Sequence, residues 1–148
     1  MKISGNFKLN MGQQDTWDAL TDIEVLKQAI PGVESIEEIG PDEYSAKMNV
    51  GIGIVRGRFS GRVKLSDLDE PTSYRMAVTG DGPGGWIKGS GVLSLEGETP
   101  DVTKVSVEGD TQVGGLLARV GQRMIGNASN TLMKQFFAGI EKAASKRA

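Results

Sequence analysis

The stretch from Val113 to Ile140, VGGLLARVGQRMIGNASNTLMKQFFAGI, decides how the rest of the chain must be arranged. A strand-forming valine is followed by two glycines and then by apolar residues at helical spacing. The pattern predicts a turn at Gly114-Gly115 and one helix from Gly115 to Ala144, about 45 Å long at a rise of ~1.5 Å per residue. Stepping about 100° per residue from Leu117 places Leu117, Gly121, Met124, Ile125, Ala128, Leu132, Phe136 and Gly139 on one broad face. A glycine inside a helix costs about 1 kcal/mol relative to alanine. Gly121 and Gly139 on this face therefore imply either close backbone packing or free space beside the helix. A second side of the same helix carries Met133, Phe137 and Ile140, flanked by Arg119, Arg123 and Lys134. Left uncovered, it is an apolar strip rimmed by cations, a surface suited to a partner or a membrane. Covered by loops or short helices, it is core.

A helix of that length needs a sheet to cover, and the preceding residues supply one. Residues 2–10 alternate like a strand, with Ile3, Phe7 and Leu9 on one side. The period then changes. Gln13 to Leu20 reads as a short helix, and Asp22 caps a second over Ile23 to Ala29, which Pro31-Gly32 ends. From Val33 to Val113 the pattern is strand and turn. Strands run from Val33 to Ile39, from Tyr44 to Ile52 (with Met48 and Val50 on its apolar face), and from Val55 to Leu65. Further strands start at Tyr74 (with Met76 and Val78), span Trp86 to Leu95, and span Val105 to Val113. Seven strands with two short helices after the first form an antiparallel sheet, with the last helix as its cover. Right-handed twist curls such a sheet around the helix. The expected class is α+β: a helix-grip fold of β-α-α-β6-α order, as one domain over residues 1–148.

Composition narrows the chemistry. The chain has 148 residues, 38% hydrophobic and 24% charged, enough for a real core. It has no cysteine and no histidine, which removes thiol nucleophiles, disulfides, imidazole bases and the usual soft metal ligands. No DxDxDG-like spacing supports a carboxylate metal site. No apolar run reaches the ~18 residues of a membrane span, and the N-terminus lacks the apolar segment of a signal peptide, so a cytoplasmic location is expected. Charge is uneven: residues 1–114 hold 11 basic against 18 acidic side chains, and residues 115–148 hold six against one. Lys142, Lys146 and Arg147 suit the C-terminal end of a helix dipole, but Arg119 and Arg123 stand at its other end. An acidic body with a basic helix points to an anionic partner or membrane surface.

Glycines recur at inward positions of the strands. Gly57, Gly61, Gly89, Gly91 and Gly109 alternate in phase with Phe59, Val63, Leu93 and Val107. Strand glycines mark bulges or tight coiling. Set opposite Gly121, Ala128 and Gly139, they also leave room for a ligand in an otherwise close-packed interior. The expected cavity lining is Met48, Val50, Phe59, Met76, Trp86, Gly121, Met124, Ala128, Leu132 and Phe136, with adaptable methionines among it. The expected partner or membrane face is Arg119, Arg123, Lys134 and Phe137. GDGPGG at Gly80–Gly85 is not a phosphate cradle, because a strand rather than a helix follows it; Trp86 is instead expected as a flap on the cavity rim. The stripe Arg56, Arg58, Arg62, Lys64 reads as a solvated sheet face, and nucleic-acid binding has little support at 5% aromatic residues.

These residues resemble the carbon monoxide dehydrogenase G-subunit family of the START-like (Bet v 1-like, polyketide cyclase) superfamily over essentially the whole chain. The likeness rests on Pro31-Gly32-Val33, Tyr44-Ser45-Ala46-Lys47-Met48, Gly57-Arg58-Phe59-Ser60-Gly61, Pro71 and Tyr74, and Gly85-Trp86-Ile87-Lys88-Gly89 with Gly91. Its most specific parts are Val113 to Arg123 and Gln135-Phe136-Phe137. The resemblance implies a START-like fold with a deep hydrophobic cavity. It implies an accessory role for a molybdenum-containing carbon monoxide (or related) dehydrogenase, with a lipid- or quinone-like molecule in the cavity and no covalent cofactor. It also implies docking of that enzyme, a molybdenum hydroxylase-type partner, to the membrane or electron acceptor. Two other readings stand beside it. One is a cyclase- or dehydratase-type enzyme working through Tyr44, Tyr74 or Glu108; the other is an interaction module with a solid core.

Overall fold

The computed structural model describes residues 1–52 and 55–147. Strand β1 (Lys2–Leu9) leads into helices α1 (Gln13–Leu20) and α2 (Ile23–Ala29). Then come β2 (Val33–Gly40), β3 (Glu43–Ile52), β4 (Val55–Asp69), β5 (Ser73–Gly82), β6 (Gly85–Thr99) and β7 (Val102–Gly114). A 3-10 turn (Gly115–Arg119) precedes the final helix α3 (Gln122–Arg147). The strands form one antiparallel sheet in the order β1-β7-β6-β5-β4-β3-β2. Consecutive hairpins build it from β2 to β7. The helical crossover carries the chain from one edge to the other, so that β1 closes against β7. This is the expected α+β helix-grip architecture.

Local chemistry explains the boundaries. Asp22 caps α2, its carboxylate accepting from the Glu24 amide at 2.8 Å. Gly32 follows with φ +70°, where a Cβ would strike the Asn49 carbonyl, and its own carbonyl accepts from the Asn49 amide at 2.8 Å. The sharp entry to β2 is thereby tied to β3. Gln13 of α1 donates from Nε2 to the carbonyls of Pro71 (2.9 Å) and Leu95 (3.3 Å), pinning the crossover to two hairpins. Buried Thr103 donates to the Met11 carbonyl at 2.8 Å.

The tight coiling that strand glycines permit is visible in the middle of the sheet. Gly91 and Gly109 face each other across β6 and β7. A Cβ on Gly91 would stand 2.6 Å from the Glu108 carbonyl oxygen, and one on Gly109 would meet the Ser90 carbonyl. The strands approach too closely there for any side chain.

The final helix differs from the expected single rod. The chain leaves β7 through Gly115 at φ +69°, packed so closely on Gly85 that a Cβ would lie 2.8 Å from its Cα. The Leu117 amide then donates to the Gly84 carbonyl at 2.9 Å, holding Gly115–Arg119 as a 3-10 turn against the β5–β6 hairpin. Helix α3 begins only after Gly121, whose carbonyl accepts from Met124 and Ile125 at 3.2 and 3.3 Å. Leu117 is buried, but it belongs to a different element, so it does not set the phase of α3. The buried series is Ile125, Ala128, Phe137, Ile140 and Ala143, with Leu132, Met133 and Phe136 half-buried beside it. Its centre lies roughly a sixth of a turn from that of the face reckoned from Leu117.

Of the two readings of the strip with Phe137 and Ile140, the covered one holds, although Phe137 was expected on an outer face. Phe137 is 4% exposed, its ring 4.7 Å from that of Phe7 on β1, and Ile140 is fully buried. Two elements flank this half of α3: β1 on one side and α2 on the other. A Cβ on Gly139 would lie 2.8 Å from Ala29 Cα, so that glycine serves close helix packing.

Candidate ligand space between the sheet and the last helix

A domain of this size normally has one contiguous apolar core, with smaller satellite clusters beside it. Here the buried side chains fall into two groups at opposite ends of the sheet. The larger contains Leu9, Trp17, Leu20, Val25, Tyr44, Leu65, Tyr74, Leu93, Val105, Phe137 and Ile140 with their neighbours, beneath α1 and α2. The smaller contains Val55, Phe59, Leu117, Ile125 and Ala128, with Val50, Ile87, Val113 and Val120 against it. Between them the inward positions of the sheet are small or incompletely covered: Gly61, Gly80, Gly89, Gly91 and Gly109, with Met48 and Val78 only half-buried. Leu132 of α3 is half-buried and joins neither group. Collapse onto the helix is therefore incomplete along this band.

The end near the smaller group opens outward. A cavity of about 400 Å³ lies between the end of β7, the 3-10 turn and the first turn of α3. Met1, Trp86, Thr111, Val113, Leu117 and Ile125 contribute to its wall, together with Gly121. The terminal ammonium of Met1 donates to the Thr111 carbonyl at 2.9 Å and fixes the N-terminus beside this opening. Three large apolar side chains stand exposed at the same end: Leu116 at 61%, Met124 at 49% and Trp86 at 42%. Trp86 projects from the convex side of the sheet, and its indole occupies the space a Cβ on Gly114 would need. It borders the opening without reaching inside.

The expected lining residues thus divide. Val50, Phe59 and Ala128 meet in the smaller group, and Met76 and Phe136 pack against the larger. Met48 and Leu132 lie on the band between. Gly121 and Trp86 belong to the outer cavity. Met124 does not face inward: in the first turn of α3 it lies off the buried series and is exposed. Of the four residues expected on an outer face, Arg119, Arg123 and Lys134 are exposed and Phe137 is not. Val55, Ile87 and Val113 are absent from the expected set. Their strand alternation carried the signal, but nothing in it told which end of each strand was open.

The interior holds little ionisable chemistry. Apart from tyrosines, the buried polar residues among those described are Thr16 and Thr103, and Glu108 is exposed. Burial pushes the Tyr74 phenol well above its ordinary value, with the Tyr44 charge adding to the effect. Tyr44 is raised by burial first and then by Glu38, Asp42 and Asp22. The ion pairs of the described residues lie at the surface, such as Arg58–Glu34 and Arg75–Asp67 at 3.3 Å. No cluster of metal-ligating side chains occurs among the described residues, nor any helix long and apolar enough to cross a membrane. A second cavity, about 580 Å³ between α1 and the end of α3, is acidic on its rim through Asp15, Asp18, Asp101 and Glu141.

Known structures share this geometry. A conserved protein from Geobacillus kaustophilus is 31% identical, with 99% of this chain and 96% of that one covered at a TM-score of 0.94. A START superfamily protein from Mycobacterium smegmatis, at 13% identity, superposes over 99% of both chains with a TM-score of 0.77. The Zhui aromatase/cyclase from Streptomyces sp. R1128, at 12% identity, covers 99% of this chain and 94% of its own with a TM-score of 0.72. The last two establish the START-like fold alone. No curated protein of described function matches the sequence. The model of the CoxG family, the G-subunit of carbon monoxide dehydrogenase, matches residues 5–145. With that match spanning nearly every element from β1 to α3, the chain belongs to the carbon monoxide dehydrogenase G-subunit (CoxG) family.

Proposed function

We propose that the protein is a non-enzymatic carrier that holds a lipid- or quinone-like molecule between its sheet and α3. In this reading it serves a molybdenum-containing carbon monoxide dehydrogenase or a related enzyme in the cytoplasm, at the inner face of the membrane. The observation that carries the reading is the division of the apolar core into two groups with an uncovered, small-residue band between them. A close-packed domain has no use for such a gap, whereas an apolar ligand would complete the core across it. Family membership supports the partner. The open end supports delivery, because Leu116, Met124 and Trp86 are exposed there, while Arg119 and Arg123 offer charge to an anionic enzyme or membrane surface. Lys134 lies farther along the same helix. The cyclase-type alternative has less to work with: acid–base catalysis needs a positioned group that titrates near the working pH, and both interior phenols are shifted away from it.

The test is extraction of the purified protein with organic solvent and mass spectrometry of the extract. It is paired with thermal unfolding in the presence of menaquinone or ubiquinone. The proposal expects an apolar molecule near one per chain, or a melting temperature that climbs with added quinone as binding to the native state requires. An empty protein with an unchanged melting temperature contradicts it.

A further inference from the structure

Residues 115–125, the 3-10 turn and the first turn of α3, differ from the rest of the shell in how little holds them. Among the described residues, one backbone hydrogen bond ties the segment to the sheet, from the Leu117 amide to the Gly84 carbonyl at 2.9 Å, and no side-chain hydrogen bond or ion pair reaches it. Its other bonds are internal: the Val120 amide donates to the Leu117 carbonyl, and the Met124 and Ile125 amides donate to that of Gly121. Two buried side chains, Leu117 and Ile125, anchor it beside Val55 and Phe59 of β4. Behind it lies the cavity of about 400 Å³, so the segment is a wall with open space at its back. Its outer side carries exposed Leu116 and Met124, each one residue before an anchor. A surface helix is fixed in its seat by being apolar on one side only. This segment is apolar on both, and its seat is weakly specified. Each end is a glycine site. Gly115, at φ +69° and pressed on Gly85, is a fixed pivot. Gly126 stands one residue past Ile125 inside α3, and among the described residues nothing lies within 4 Å of where its Cβ would sit. A helix bends readily at such a residue. Farther on, Phe137, Ile140 and Ala143 are buried and Gly139 lies against α2, which holds the second half of the helix in place.

We propose that residues 115–125 are a gate, latched by Leu117 and Ile125 and swinging on Gly115 and Gly126, which opens the space between the sheet and α3 while the closed end stays folded. The use of the gate for ligand passage rests on the carrier reading above; the opening itself is a property of the empty chain. A latch of two side chains and one hydrogen bond releases far more often than the whole domain unfolds, because a local opening gives up only the contacts it breaks.

Amide hydrogen exchange of the ligand-free full chain, followed by NMR, reads the opening. The Leu117, Val120, Met124 and Ile125 amides should exchange through one shared opening, at least about 100-fold faster than those of Phe137 and Ile140, which wait for global unfolding. Ile140→Val, a mild cut at the closed end, should speed exchange at Phe137 and Ala143 by about 2- to 12-fold. It should leave the four gate amides unchanged, since the contact it weakens survives the opening. Gate amides as slow as that of Phe137, sped up alongside it by Ile140→Val, or exchanging at four unrelated rates would overturn the proposal. Passage is read by stopped-flow quenching of tryptophan fluorescence with 2-methyl-1,4-naphthoquinone. Gly126→Ala, which stiffens the hinge, should slow association and release alike by about 2- to 5-fold, the difference in helix propensity, with Kd changed less than about twofold. Unchanged rates, or a changed Kd in their place, would overturn the role of the gate in passage and leave the carrier reading standing. A chain that takes up no quinone contradicts the carrier reading, and the exchange result then decides the gate alone.

Discussion

The two ends of the curved sheet are built on different terms. At the closed end, α1, α2, β1 and the second half of α3 converge on Val25, Val105 and Ile140, all fully buried, and the helices touch backbone to backbone at Gly139 and Ala29. At the open end a short 3-10 turn and the first half of α3 pack with the sheet in a group of five buried apolar residues among those described. Among the described residues, nothing lies within 4 Å of where a Cβ would sit on Gly121 or Gly126 there. One helix therefore acts as a structural clamp over its second half and as a loose cover over its first. In the carrier reading, stability and access fall to opposite ends, so that a ligand would enter at the open end without disturbing the part that keeps the protein folded.

The largest break in this contrast should come from Ile140→Ala. Removing a fully buried side chain at the closed end should cost about 2–5 kcal/mol, read as a lower urea midpoint with the slope unchanged. Alkaline pH should act on the same end. Both tyrosine pKa values are raised in the folded protein, so this contribution to stability is fully present below the unfolded value near 10. It is lost as pH rises through the raised folded values. Absorbance near 295 nm should rise at higher pH in the native protein than in the chain unfolded in guanidinium. Native and unfolded protein titrating together would remove the basis for deep burial.

How much of this was legible in the sequence follows from which interactions are local. Strand alternation, the Asp22 cap and the Pro31-Gly32 break act within a few residues, and the sheet, its hairpins and the crossover were readable from them. The end of the strands at Gly114-Gly115 was readable too. The restart of α3 at Gln122 was not, because it depends on the Gly84 carbonyl capturing the Leu117 amide from another hairpin. With Leu117 in a separate element, α3 takes its phase from its own packing, which leaves Met124 out and Phe137 in. The glycines were ambiguous for the same reason. Gly139 and Gly121 look alike in sequence, and only the position of α2 makes one a close contact and the other open.

A pair of substitutions sharpens that distinction with opposite signs. Gly139→Ala should destabilise by about 1–3 kcal/mol, since its methyl group meets the Ala29 backbone rather than a side chain that can yield. Gly126→Ala, in the open half of the same helix, should stabilise by about 0.5–1 kcal/mol, the ordinary gain in helix propensity. Equal effects at the two sites would erase the contrast between the halves of α3. The smallest effect on stability belongs to Arg119→Glu with Arg123→Glu. These exposed residues should shift unfolding by no more than about 0.5 kcal/mol. The double variant should nevertheless abolish any salt-sensitive association with anionic vesicles or with the dehydrogenase, measured by co-sedimentation.

Methionine methyl groups report most directly on where an apolar ligand sits, because they are spread over the regions at issue. Met48 and Met76 line the concave sheet, Met124 is exposed at the mouth, and Met11 borders the acidic cavity on the far side of α1. With methyl-labelled methionine and saturating 2-methyl-1,4-naphthoquinone, Met48 and Met76 should shift and show intermolecular Overhauser contacts to the probe, while Met11 stays unchanged. Perturbation confined to Met11 or Met124, or none at all, would contradict a ligand held between the sheet and α3.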